Sequence, residues 1–157
     1  MRNFVIYIGA DHRGYNLKGK IKEWLSEWGR DYEDVGALTF DPADDFPDFA
    51  AAVGKAVALS LSKEQKNRGI LICGSGIGIA IAANKIKGVR AGTAANPKQA
   101  EAAVHDEDMN VLSLSADFLN EKEAKDIVQA FIEAKFGNEE RYNRRLNKIE
   151  ALENHER

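Results

Sequence analysis

Residues 68–91 read RGILICGSGIGIAIAANKIKGVRA. Gly69–Cys73 is a short, continuous apolar run, the pattern of a strand covered on both faces. It breaks into Gly74-Ser75-Gly76-Ile77-Gly78, where three glycines let the backbone turn sharply. A helix follows to about Lys85, and Val89–Thr93 reads as the next strand. Strand, turn, helix and strand in this order form a crossover unit, which implies a parallel sheet.

The same alternation extends in both directions. Upstream, residues 4–9 (FVIYIG) form a strand, and Leu17, Ile21, Trp24, Leu25 and Trp28 share the face of a helix that closes at Gly29. Tyr32–Val35 is a short strand, residues 36–46 are a loop, and Pro47 opens a helix through Phe49, Val53 and Val57. Downstream, a helix runs from about Pro97 to His105, a strand covers Asn110–Leu114, and a helix runs from about Asn120 to Ala134. The polar stretch 138–155 is helix-prone. The expected fold is α/β: a doubly wound, five-stranded parallel sheet in a three-layer sandwich, plus a C-terminal helix. An eight-stranded barrel needs about 250 residues, and this chain has 157. In open sheets of this kind, ligands sit beyond the carboxyl ends of the strands.

Composition narrows the function. A chain of 157 residues suits a single domain over 1–157. With 22 basic and 25 acidic residues, the net charge of −3 gives no global field for nucleic acid or an anionic membrane. Cys73 is the only cysteine, so neither an intrachain disulfide nor a cysteine metal cluster can form. His12, His105 and His155 make no close metal-binding pair on one helix, and no metal is expected. No apolar run approaches the roughly 20 residues that span a bilayer. No basic leader precedes an apolar signal core. A cytoplasmic protein is expected.

The Gly74–Gly78 turn suits an anion, because its N–H groups can converge beside a helix start. It is not a Walker A loop, which needs Gly-Lys-Ser/Thr, nor a dinucleotide fingerprint, since Ile79 and Ile81 stand where Gly or Ala is required. Cys73 opens the turn. It reads either as a small buried hydrophobe or as a thiolate serving as nucleophile or base. Asp11-His12-Arg13-Gly14 follows the first strand, where Asp11 either caps the first helix or projects with His12 over the strand ends. Arg141 and Arg145 are four apart on the terminal helix, forming either a solvated face or a two-pronged phosphate clamp.

Taken together, IGADHRGYNLK (8–18), DFPDFA (45–50), residues 68–91, NVL (110–112) and RYNRRLNKIE (141–150) resemble the type B ribose-5-phosphate isomerases and bacterial galactose-6-phosphate isomerases. The resemblance runs from about Asn3 to Ile149. It implies a flavodoxin-like, Rossmann-like sheet, no cofactor, and a homo-oligomer, dimer or tetramer, with each active site shared between subunits. It implies that Cys73 is the base moving a proton between C1 and C2 of an aldose phosphate. Gly74, Ser75, Gly76, Ile77 and Gly78 would hold the enediolate oxyanion through backbone amides, and the Ser75 hydroxyl would assist. Asp11 would bind sugar hydroxyls and His12 the phosphate side. Arg141 and Arg145 would clamp the phosphate of the neighbouring subunit's substrate, with helix 138–155 packed on that neighbour.

Four positions depart from the pattern, three of them acidic. Asp106 and Glu107 stand where the family usually has His and Asn, the His being associated with opening the furanose ring. Asp117 stands where many members carry a phosphate-binding Arg, and Arg13 where a small residue is common. Ring opening would then fall to Asp106 or to His105. The expected reaction is ribose 5-phosphate to ribulose 5-phosphate. The alternatives are isomerisation of allose 6-phosphate or galactose 6-phosphate, or a non-catalytic sugar-phosphate-binding subunit.

Overall fold

The computed structural model describes residues 4–155. The elements are β1 (Ile6–Ala10), α1 (Tyr15–Glu27), β2 (Tyr32–Asp34), α2 (Phe46–Ser60), β3 (Arg68–Cys73), α3 (Ile77–Ala83), β4 (Ala91–Thr93), α4 (Pro97–Glu107), β5 (Val111–Ser115), α5 (Glu121–Glu133) and α6 (Glu140–Glu153). Each expected element is present, most with an end moved by a residue or two. The strands form one parallel sheet in the order β2-β1-β3-β5-β4. β5 therefore inserts between β3 and β4, leaving the three-residue β4 at an edge.

Side chains alternate across the central strand, as a period of two requires. Ile70 and Ile72 enter a core with Ile6, Ile8, Leu112 and Leu114, covered by Ile21, Trp24 and Leu25 of α1, Val104 of α4 and Ile127 and Phe131 of α5. Leu71 and Cys73 face the other way, into a second core with Val53 and Val57 of α2 and Ile79 and Ala83 of α3. Each fully buried Ile, Leu or Phe contributes about 1.5–3 kcal/mol. Right-handed crossovers explain the division, because the chain turns one way to build β2 and β5 and the other way to build β3 and β4.

The same winding sets the site. From β1 the chain leaves toward β2, and from β3 it leaves toward the opposite edge. The carboxyl ends of these neighbouring strands therefore diverge and open a crevice. The residue 10–14 turn and the residue 73–78 turn are its two walls. They meet closely at Gly14, where an added Cβ would lie 2.5 Å from the Ile72 carbonyl oxygen.

Candidate active site

Cys73 ends β3 at 4% exposure, and its Sγ accepts the Gly76 N–H at 3.2 Å. The turn needs glycine at 76 for two reasons. Its φ is +75°, and an added Cβ would stand 2.8 Å from Thr93 Cγ2 and 2.9 Å from the Leu114 carbonyl carbon. Ser75 is exposed, and its Oγ accepts the Ile77 N–H at 3.1 Å. Two amides of the turn thus converge on the thiol and the hydroxyl. Since α3 has only seven residues, the turn amides themselves, more than a long helix dipole, supply the positive partial charge.

Two serines of β5 hold this turn from behind. The buried Ser113 hydroxyl donates to the Gly76 carbonyl, and Ser115 Oγ donates to the Gly74 carbonyl at 2.7 Å. Ser115 Oγ in turn accepts the Phe118 N–H at 3.1 Å. The carbonyls are drawn toward the sheet, which leaves the anion-binding side of the turn to its N–H groups. These serines escape a motif search, yet they leave a signal. In NVLSLS, residues 110–115, two hydroxyls recur with strand period inside an apolar run.

Across the crevice, Asp11 is 4% exposed, and its Oδ1 accepts the Arg13 N–H at 3.0 Å and the Gly14 N–H at 3.2 Å. It ties the turn before α1, whose own N-cap position is Gly14. Asp11 is therefore not the cap of α1; its carboxylate fixes the backbone of the turn that precedes the helix. His12 donates its backbone N–H to Asp44 Oδ1 at 2.9 Å, and its Nδ1 lies 2.7 Å from the same oxygen. Sequence reading left Asp44 in an unassigned acidic loop. Phe46 was equally silent, although its ring closes on the anion turn: a Cβ at Gly78 would lie 2.9 Å from Phe46 Cζ. Arg13 pairs with Asp117 over the start of the turn, where a Cβ on Gly74 would meet the Arg13 Nε at 2.7 Å and Asp117 Oδ2 at 2.9 Å. Arg13 thus sets a guanidinium beside the acidic Asp117.

Asp11, His12 and Asp44 each offer a donor atom within 4.8 Å of the others, the spacing of a small cation site. The 2.7 Å contact between His12 Nδ1 and Asp44 Oδ1 engages two of these donors with each other. The chemistry of the trio is that of a carboxylate-oriented imidazole.

The arginines lie elsewhere within the chain. In a parallel sheet, the last turn of α4 and the start of β5 lie at the amino ends of the strands, opposite Cys73. α6 packs at that end, where Glu153 accepts the N–H of Gly88, just before β4. There Arg141 Nη2 donates to Tyr142 Oη at 2.9 Å and its Nε lies 3.1 Å from Glu139, while Arg145 is exposed. Arg144 pairs with Glu140 at 3.1 Å. His105 Nδ1 lies 2.7 Å from Asp106 Oδ1, and the His105 ring stands edge-on to Tyr142. The His105 hydrogen bond, aided by Tyr142 and Arg141, holds the Asp106 carboxyl below the usual range. Burial, then repulsion from Asp106, pushes Glu107 up. A cleft of about 740 Å³ runs along the β4 edge beside α6, lined in part by Val89, Met109, Ile149 and Leu152. The expected site residues thus fall into two groups: Cys73, Gly74–Gly78, Asp11 and His12 at one end of the sheet, and Arg141 and Arg145 at the other.

The chain matches the Ribose/Galactose Isomerase family over residues 6–149. It is 41% identical to the probable ribose-5-phosphate isomerase B of Mycoplasma genitalium over 94% of each chain. It is 35% identical to ribose-5-phosphate isomerase B of Mycobacterium tuberculosis, over 98% of this chain and 92% of that one. A crystal structure of the Mycoplasma genitalium isomerase with bound ribulose-5-phosphate superposes with a TM-score of 0.92 at 39% identity, covering 99% and 100% of the two chains. The ribose 5-phosphate isomerase of Thermotoga maritima superposes at 0.86 with 34% identity, over 96% of this chain and 99% of that one.

Proposed function

This chain belongs to the ribose/galactose isomerase family, and from that premise we propose that it interconverts ribose 5-phosphate and ribulose 5-phosphate through a cis-enediolate. The observation that carries the reading is the lone thiol of Cys73 at the mouth of a turn whose Gly76 amide points at it from 3.2 Å. The Cys73 thiolate takes the C2 proton of the open aldose and returns it to C1. Charge then develops on the sugar oxygens, where the backbone amides of Gly74–Gly78 stand ready. Preorganised donors of this kind contribute several kcal/mol to such a step, and a placed base about 10²–10⁴ in rate. The Ser75 hydroxyl relays the proton between O1 and O2. Asp11 binds sugar hydroxyls and His12 lies toward the phosphate. No cofactor enters this scheme, and a cytoplasmic location is part of the proposal.

The phosphate clamp comes from a second copy. Arg141 and Arg145 lie at the wrong end of their own sheet, so they reach an active site by docking α6 on a neighbour. The exposed Leu152 and Ile149 beside the β4 cleft support that packing. Among the described residues no helix is long and apolar enough to cross a membrane.

The test is proton exchange in D₂O followed by NMR. Wild-type protein deuterates C2 of ribose 5-phosphate and forms the ketose, and Cys73→Ala loses about 10³-fold in kcat. A Cys73→Ala protein with full activity would end the cysteine-base mechanism. Asp106, Glu107 and Asp117 motivate a second substrate reading, because acidic groups at these three positions would change what a sugar phosphate meets. Exchange with allose 6-phosphate or galactose 6-phosphate, and none with ribose 5-phosphate, would move the assignment there. Binding without any exchange would mark a non-catalytic subunit.

A further inference from the structure

β5 carries two hydroxyls on a face where its neighbours are apolar. Leu112 and Leu114 enter one core, while Val111 faces the other, with Leu71 and Cys73 of β3. Ser113 and Ser115 alternate with those leucines on the second face, and both are buried. A buried hydroxyl costs free energy unless it is bonded, and both of these bond to the anion turn. Chemistry fixes the direction of each bond. A carbonyl oxygen can only accept, so the Ser113 hydroxyl donates to Gly76. Ser115 Oγ already accepts the Phe118 N–H at 3.1 Å, and its own proton goes to the Gly74 oxygen at 2.7 Å. The chain just after β5 adds two backbone donors, Ala116 to the Cys73 oxygen at 2.9 Å and Asp117 to the Gly74 oxygen at 3.0 Å.

A trans peptide is planar, with its N–H opposite its C=O. The Gly74 carbonyl shares a peptide group with the Ser75 N–H, and the Gly76 carbonyl shares one with the Ile77 N–H. The Ile77 N–H donates to Ser75 Oγ at 3.1 Å. That oxygen is accepting there, so the Ser75 proton turns away from Ile77, and the side chain is exposed. Two lines of hydrogen bonds from β5 therefore end on Ser75, one at its hydroxyl and one at its amide.

We propose that Ser113 and Ser115 are positioning residues that act on Ser75 through the peptide groups 76–77 and 74–75. The proposal rests on the isomerase reading, in which the Ser75 hydroxyl gives its proton to O1 of the aldose and takes one from O2. Ser113 draws electron density from the 76–77 peptide, which makes the Ile77 N–H a stronger donor to Ser75 Oγ. The Ser75 hydroxyl is held in one rotamer, and its proton is given more readily. Ser115 does the same for the Ser75 N–H, which faces the charge that develops on the sugar oxygens. Neither serine needs to touch the substrate.

A double-mutant cycle separates this role from a merely structural one. kcat and KM for ribose 5-phosphate are measured in wild type, Ser113→Ala, Ser115→Ala, Ser75→Ala and the two double variants that include Ser75→Ala. Ser113→Ala and Ser115→Ala are each expected to lower kcat about fivefold to tenfold with KM held within about twofold, a smaller loss than the roughly 10²–10³ that follows outright removal of an oxyanion donor. In Ser75→Ala the hydroxyl is gone and the amide remains. Adding Ser113→Ala should then lower kcat no further, whereas adding Ser115→Ala should still cost its full factor. Wild-type kcat in Ser113→Ala or in Ser75→Ala, or a change confined to KM, would overturn the proposal. So would a Ser113→Ala loss that multiplies undiminished onto Ser75→Ala. Should Ser113→Ala fold poorly, the Ser115 arm decides, and wild-type kcat in Ser115→Ala overturns the scheme. Absence of any isomerisation in wild type would instead defeat the isomerase reading itself, and this proposal with it.

Discussion

At the residue scale, the anion turn sorts its glycines by what a methyl group would strike. At Gly76 the obstacle is backbone, the Leu114 carbonyl carbon at 2.9 Å and the Ser115 nitrogen at 3.0 Å, and φ is +75°. At Gly74 the obstacles are the ends of the Arg13 and Asp117 side chains, which can swing aside. Gly76→Ala is therefore expected to lower stability by more than about 2 kcal/mol. Gly74→Ala should stay within about 1 kcal/mol of wild type while displacing the exposed Arg13–Asp117 pair. Urea melts of the two variants check the contrast, and equal losses would contradict it. The glycines and the thiol were legible because their residue types are scarce and their spacing is narrow. Asp44 was not. It lies 32 residues from His12, and an acidic loop residue carries no periodicity to mark what it touches. Ser113 was also missed as a site residue because its strand reads first as core.

Buried cations decide how several elements dock. Arg68 opens β3 and turns its guanidinium onto the C-terminal carbonyls of α5, donating to Phe131 and, at 2.9 Å, to Ala134. Burial pushes this group down to about 10, still far above neutrality, so it stays charged and satisfies the negative end of the helix. Arg68→Met is expected to cost about 2–4 kcal/mol, since it strands buried carbonyls. A chemical melt checks this, and a loss under 1 kcal/mol would count against the docking role. On the same face, toward the β2 edge of the sheet, Asp34 of β2 accepts from Lys18 and Lys22 of α1, each at 2.8 Å. Burial works to raise the Asp34 carboxyl, but the hydrogen bonds from Lys18, Lys22 and the Gly36 N–H outweigh it and hold the group below its ordinary value. Its contribution is thus fully present above about pH 4 and is lost as pH falls through the lower folded value. Asp34→Asn should be about 1–3 kcal/mol less stable near neutrality, with the gap closing below pH 4. A gap that persists into acid would show that the charge does not matter. Neither role is visible in the sequence, because both join segments that only the sheet order brings together. Helix periods, by contrast, place α1, α4 and α5 within a few residues, whereas the expected start of three-residue β4 is two residues early, because the apolar, buried Val89 bonds back to Ile86 instead of joining the ladder.

For the whole molecule, topology separates what the motif reading had joined. Parallel strands put every strand-to-helix turn at one end and every helix-to-strand turn at the other. Cys73 and His12 take the first end, and Arg141, His105 and Asp106 gather at the second. One chain therefore carries two groups of expected site residues that do not meet within it. If function requires both, the smallest working unit is a pair arranged so that the α6 end of one copy faces the crevice of the other. This has a quantitative consequence. Cys73→Ala protomers keep intact arginines, and Arg141→Ala/Arg145→Ala protomers keep an intact thiol, yet each assembly alone should be nearly inactive. Co-expressed as a dimer at equal levels, half of the assemblies are mixed, and each mixed pair rebuilds one complete site of its two. Activity should then return to about a quarter of wild type. Placing all three substitutions in one chain and mixing it with wild type supplies the control, because there each shared site of a mixed pair takes one half from the variant chain and none is complete. Mixed assemblies of that kind should contribute nothing, and the activity should equal that of the wild-type pairs alone. About a quarter of wild-type activity in each mixture is the outcome a shared site demands, whereas a site complete within one chain predicts none in the first mixture and about half in the second. Failure of the first mixture to regain activity, with mixed assemblies verified by mass spectrometry, would return Arg141 and Arg145 to the role of a solvated helix face.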